Sequence, residues 1–276
     1  MEKMRYPTAM VLGFGLLLGL SGSVYSHDPV FSPGPHVLFK EGIEVHTELY
    51  RSDRGDKAEN ETAIAFKYGL TGNWVAGVAL PYQYLKEGSE RNGGVGDITF
   101  STKYRFWRQD ALGTQESMAV LFKVKPDTAS SDGVPSTGTG TTDALAGLTY
   151  GYESLKWYRW ASARYRRNGR SDIGFQRGDT FLVDLAGGIR LTPPDYWKPD
   201  TVWLLELNGE ISQRAELDGR ELANSRGQEW FISPGLMWTV RNFAVKAGVQ
   251  LPVVNNLNGD QNESDYRAVL EFEWHR

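Results

Sequence analysis

The stretch GDITFSTKYRFW, residues 96–107, decides the fold. In an extended chain Ile98, Phe100, Thr102, Tyr104 and Phe106 point one way, while Asp97, Thr99, Ser101, Lys103 and Arg105 point the other. One face is apolar and aromatic; the other is charged or small and polar. Segments of about ten residues with this alternation recur roughly every twenty residues from Gly42 to the C-terminus. A soluble sandwich would hide the apolar face in a core. Here an export signal, aromatic strand ends and a charged opposite face turn the apolar side toward lipid and the polar side toward water. Alternation and turn signals together predict about twelve strands, at 42–51, 60–70, 74–85, 96–107, 117–126, 142–153, 157–167, 179–191, 201–212, 228–239, 243–253 and 264–274. The expected fold is all-β, a transmembrane antiparallel up-and-down β-barrel.

Connections after even strands are short, as at Thr71-Gly72-Asn73, Ser154-Leu155-Lys156 and Val240-Arg241-Asn242. Several after odd strands are longer and rich in Gly, Ser, Asn and Asp, as at 126–141, 168–178 and 213–227. Outer-membrane barrels have short periplasmic turns and long external loops, so both termini are expected in the periplasm. Aromatic side chains gather where this topology puts the periplasmic interface: Trp74, Phe106, Trp107, Tyr152, Trp157, Trp203, Trp238, Phe243 and Trp274. Tyr50, Tyr82, Tyr84, Tyr165, Phe181, Trp230 and Tyr266 supply a sparser external girdle. Pro81, Pro234 and Pro252 predict bulges or missing ladder bonds. The Ser/Thr/Gly-rich run 129–142 reads as an external loop, mobile or folded inward over the pore.

Residues 1–26 have the form of a secretory signal: Lys3 and Arg5 start it, Ala9 to Leu20 form its apolar centre, and Val24 and Ser26 precede the cut. Residues 27–41 then read as an N-terminal periplasmic tail and 42–276 as the barrel. The chain has no cysteine, so ladder closure and packing must supply its stability without disulfides. A net charge of −4 offers no basic patch of the kind nucleic acid requires. Asn60-Glu61-Thr62 and Asn262-Glu263-Ser264 match the glycosylation pattern by chance in a Gram-negative envelope.

The inward side chains fall into two arcs. Lys103, Arg105, Lys123, Lys125, Arg164, Arg166 and Arg190 make a basic arc, interrupted by Asp97, Asp143 and Asp184. Glu44, Glu48, Glu206, Glu210, Glu229, Glu271 and Glu273 make an acidic one, with Lys246 and Arg267 as exceptions. Two readings follow. Opposed arcs would set a transverse field across water in the lumen and orient a polar solute. Alternatively the charges pair and fill a barrel narrower than the wide aqueous porins. A metal reading attaches to His27, whose free amine after cleavage could chelate copper, with His36 and His46 nearby in sequence. Joining all three requires the tail to fold into the barrel; the plain alternative is a solvated tail and a lumen histidine.

Leu80-Pro81-Tyr82, Gly94-Val95-Gly96-Asp97-Ile98, Lys103-Tyr104-Arg105-Phe106, Ser233-Pro234-Gly235-Leu236 and Gly248-Val249-Gln250-Leu251-Pro252, in this order, resemble a family of bacterial outer-membrane proteins named for the meta-pathway of phenol degradation, a transporter group. The resemblance covers most of the mature chain. It implies a closed outer-membrane barrel and uptake of hydrophobic or aromatic compounds. The ending departs from the usual terminal aromatic, since His275-Arg276 follow Trp274.

An enzyme is the third class considered. Asn168-Gly169-Arg170-Ser171-Asp172 is similar to the stretch after the catalytic residues of outer-membrane phospholipase A, but Tyr165 and Arg167 stand where that family has its His and Ser. No enzyme is expected, and no cofactor. The expected function is passive passage of small solutes, possible partners being outer-membrane lipid, the barrel-assembly machinery and a solute that the sequence does not name. The alternative is a structural or binding barrel with a filled lumen and partner-binding external loops, and a further one is periplasmic metal capture by the tail.

Overall fold

The structure is a computed structural model that describes residues 28–130, 133–192 and 198–276. The proposed export signal and His27 lie outside the described residues. Sixteen strands form: β1 (Ile43–Arg54), β2 (Lys57–Thr71), β3 (Trp74–Glu87), β4 (Glu90–Val95), β5 (Thr99–Ala111), β6 (Thr114–Lys125), β7 (Asp143–Ser154), β8 (Trp157–Arg167), β9 (Phe175–Gln176), β10 (Thr180–Arg190), β11 (Asp200–Ser212), β12 (Glu216–Leu217), β13 (Arg220–Glu221), β14 (Gly227–Val240), β15 (Phe243–Leu257) and β16 (Tyr266–His275). Every pairing in the wall is antiparallel, and β1 pairs with both β2 and β16, so the sheet closes on itself. The wall has twelve positions, because β4 and β5 share one: β3 pairs with β4 through Tyr82–Glu87 and with β5 through Trp74–Ala79. The three shortest strands, β9, β12 and β13, form a small sheet in the external loops.

Closure joins the first wall strand to the last, which is what lets a sheet cross lipid without a row of unpaired backbone groups along a free side. Side chains follow the pleat. On β8, Tyr158, Trp160, Ser162, Arg164 and Arg166 are buried inside, while Trp157 and Tyr165 lie on the outer surface. On β11, Trp203, Leu205 and Leu207 are exposed between inward Leu204, Glu206 and Asn208. Leu205 sits midway along its strand. Leu205→Arg should therefore lower the unfolding free energy in lipid vesicles by about 2–4 kcal/mol, the cost of a cation at the bilayer midplane, with Leu205→Ala changing it far less.

Several expectations are corrected. Residues 52–59 and 86–95, read as loops, are mostly strand: two-residue turns at Gly55-Asp56 and Gly88-Ser89 join β1 to β2 and β3 to β4. Tyr50 is not part of the external girdle. It shares the parity of Glu44 and Glu48 on β1 and is buried inside. Phe106 and Trp107 are adjacent yet both exposed, because the β5–β6 register shifts between Arg105 and Trp107. The prolines act as expected. Pro81 lies where β3 changes partner, and the β14–β15 register shifts at Trp230/Phe231, beside the site where Phe231 faces Pro252.

The largest correction concerns the segment read as a periplasmic tail. Asp28, Val30, Phe31, Ser32 and Leu38 are all buried, inside the barrel. The described residues of the loop, 126–130 and 133–142, are likewise docked: the backbone N–H groups of Thr128, Ala129 and Thr139 all donate to Asp97 Oδ atoms, each at 2.9 Å.

Candidate functional site

The lumen site is built where residues 28–38 meet the inner wall. Glu206 Oε1, from the middle of β11, accepts the backbone N–H groups of Val30 at 2.8 Å and Phe31 at 3.1 Å, and Glu206 also accepts the Ser32 hydroxyl. These bonds satisfy a carboxylate that is fully buried, where an unpartnered one would be very costly. Opposite, Lys103 on β5 donates to Asp28 Oδ2 at 2.9 Å and to the Gly34 carbonyl, and both side chains are 0 % exposed. His36 bonds Glu153 near the periplasmic end of β7. Burial pushes the Asp28 carboxyl up against the pull of Lys103. At His36 the burial acts downward, but Glu153 beside it leaves the imidazole raised above its ordinary value.

The segment also has an apolar foothold. Val30 and Phe31 join Tyr158, Trp160, Leu204 and Met237 in one buried cluster inside the barrel. Two wall glycines make room for it. A Cβ at Gly248 would meet the Phe31 ring at 2.8 Å, and one at Gly235 would meet Val30 at 3.0 Å. On the external side of this foothold a polar chain runs along the inner wall from β10 to β16. Ser32 accepts from Asn208, which donates also to Asp184 at 2.9 Å; Gln250 and Ser233 donate to Asn208 Oδ1 at 3.0 and 2.7 Å; Arg267 then links Gln250 to Glu210.

A family model matches residues 26–261, a span that takes in the docked segment and nearly all of the wall. The chain belongs to the family described as "Putative MetA-pathway of phenol degradation". Among solved structures, an outer membrane channel of Pseudomonas putida F1 is similar over 89 % of this chain and 99 % of its own, with a TM-score of 0.73 at 12 % identity. The β domain of the Bordetella autotransporter BrkA is similar over 85 % and 99 %, with a TM-score of 0.50 at 12 % identity. At such identities the likeness is one of fold. No curated protein sequence matches this member of the phenol-degradation family.

The residues of the two charged arcs are buried or half-buried on the inner side of the wall, and their charges are met mainly by neighbours. In the basic arc Lys103 meets Asp28, Lys125 meets Asp97 and Asp143 at 3.4 and 3.1 Å, Arg164 meets Asp184, and Arg190 meets Asp200. Arg105 donates to Asn73 and to the Gly72 carbonyl, Arg166 donates to Thr180, and Lys123 is buried. In the acidic arc Glu44 meets Lys67, Glu210 meets Arg267, Glu229 meets Arg54, and Glu271 and Glu273 share Lys246. Glu48 lies 3.8 Å from His46. The arrangement is a set of local pairs, most of them between neighbouring strands, and not two opposed rows of unpaired charge.

The metal reading would join His36 to His46, and the structure does not bring them together. His36 is engaged with Glu153, whereas His46 stands among Glu48, Glu271 and Glu273. Among the described residues, neither group with metal-ligand spacing includes His36. The two charged arcs include neither Lys67 and Glu59 nor the inward apolar residues Tyr158, Trp160, Leu204 and Met237. Their inward parity on β8, β11 and β14 was available; the apolar segment that covers them was not recognised as their partner.

Proposed function

We propose that the barrel is an outer-membrane channel held shut by residues 28–38 and that, when the segment withdraws, small solutes with an apolar or aromatic body pass down their gradient. The observation that carries this reading is the double foothold of the segment: polar bonds to Glu206 and Lys103, which water or a solute can replace, and a Phe31 ring set over Gly248 in a buried apolar cluster that also holds Tyr158 and Trp160. A slot that holds one aromatic ring suits another. The family description and the channel of Pseudomonas putida F1 support the same class of function. In this reading residues 1–26 are the cleaved export signal of a Gram-negative outer-membrane protein.

The local charge pairing favours a second reading, a permanently filled structural barrel. Planar-bilayer recordings separate the two. Mature protein lacking residues 28–36 should give discrete current steps larger or far more frequent than those of the intact mature chain. Silence from both, with folding checked by heat-modifiable gel mobility, would leave the filled barrel as the better account.

A further inference from the structure

The seam that closes the barrel has a chemistry of its own. On three successive inward rungs of the β1–β16 ladder, Glu44 faces His275, His46 faces Glu273 and Glu48 faces Glu271. The flanking strands bring Lys67 opposite Glu44 and Lys246 opposite Glu271. Like charges directly opposite each other, as at Glu48 and Glu271, weaken a ladder unless a cation joins them. With neutral imidazoles the four carboxylates outweigh the two lysines by two negative charges, the charge of one divalent ion.

The distances favour a metal over protons on the imidazoles. One ligand atom from each of Glu44, His46 and Glu273 lies within 4.8 Å of the others, and all three residues are at most 2 % exposed. His46 Nδ1 is 3.5 Å from Glu273 Oε1, and His275 Nδ1 is 3.3 Å from Glu44 Oε2. An imidazolium bonded to a carboxylate would stand closer, at about 2.7–2.9 Å. Ligands held about 2.0–2.1 Å from a tetrahedral ion stand roughly 3.4 Å apart, which is the spacing seen. Two buried atoms aimed into this space, His46 Nδ1 and Glu44 Oε2, make no hydrogen bond.

We propose that Glu44, His46 and Glu273, with His275 at the periplasmic rim, bind one divalent ion of the zinc, cobalt or nickel class. Imidazole nitrogen with carboxylate oxygen suits that class, and the cysteine-free chain offers no thiolate. The ion would tie the first strand to the last. The His275 side chain, 16 % exposed and one residue from the chain end, gives it a route from the periplasm. This site is separate from the tail chelation considered from sequence and uses none of its residues but His46.

The test is a Co(II) titration of the folded mature protein, followed by its visible absorption. The expected result is one Co(II) per barrel, displaced by Zn(II). Affinity should be about a hundredfold or more weaker in His46→Gln and in Glu273→Gln, given that even outer partners of metal ligands are worth about 10–100-fold. His36→Gln should bind as the parent does. Two ligand variants are used so that one folded barrel suffices. Folded parent protein that takes up no Co(II), or ligand variants that bind it with unchanged affinity, would overturn the proposal and leave protonated histidines as the counterions.

Discussion

Barrels carrying Lys246→Met are expected to lose about 3–5 kcal/mol of stability, the usual cost of removing one partner from a buried ion pair. Lys246 is wholly buried on β15, with its Nζ 3.0 Å from Glu271 Oε2 and 2.8 Å from Glu273 Oε1. Methionine keeps most of the volume, so the loss is electrostatic more than a cavity effect. Without the ammonium group, two carboxylates on the same face of β16 stand beside Glu44 and Glu48 with one cation fewer. Guanidinium unfolding in lipid vesicles, read by tryptophan fluorescence, measures the difference. The triple variant Lys246→Met, Glu271→Gln, Glu273→Gln should regain a large part of it, since the cost lies in stranded charge and not in the ammonium itself. A single variant as stable as the parent, or a triple variant no better than the single, would mean that solvent or another cation already screens these carboxylates.

The wall was legible because lipid and water impose a strict period of two, and a side chain can be assigned a face by counting. Counting also separates Tyr50 from the external girdle, since it shares the parity of Glu48 and points inward. Where the chain leaves the bilayer the signal fades for a physical reason. β4, with the sequence ERNGGV, has no lipid to meet and so no apolar face to show, and its ladder to β3 is held by backbone bonds alone. A bulge defeats counting altogether, as at Phe106 and Trp107. The docked segment was the least legible part. Residues 28–38 have no period, contain three prolines, and find their partners only after the ring has closed; Val30 and Glu206 are 176 residues apart in sequence. Alternation turns the charges of both arcs inward, but the arcs omit Lys67 and Glu59 on β2, and which charge meets which depends on register and shear, which alternation does not encode.

Glu206→Ala should release the segment. Glu206 accepts from both Val30 and Phe31, and it takes the Ser32 hydroxyl as well. Truncating one side of a buried, hydrogen-bonded charged contact costs about 2–5 kcal/mol, part of it from donors left without a partner. That corresponds to a roughly 30- to 5,000-fold shift toward the undocked state. The wall itself need not suffer, because Glu206 faces the lumen and its strand bonds to β10 and β14 are made by backbone. Limited proteolysis from the periplasmic face reads the effect directly: cleavage within residues 28–38 should become rapid in Glu206→Ala while the barrel stays intact on a gel. Bilayer recordings of the same variant should approach those of the truncated protein. Glu206→Gln is the informative companion, since an amide oxygen can still accept from Val30 and Phe31 but without charge, and it should fall between the two. If Glu206→Ala left the segment as protected as in the parent, the apolar foothold of Val30 and Phe31 against Trp160, Leu204 and Met237 would be what holds it. The switch would then have to be sought in a solute that competes for that slot.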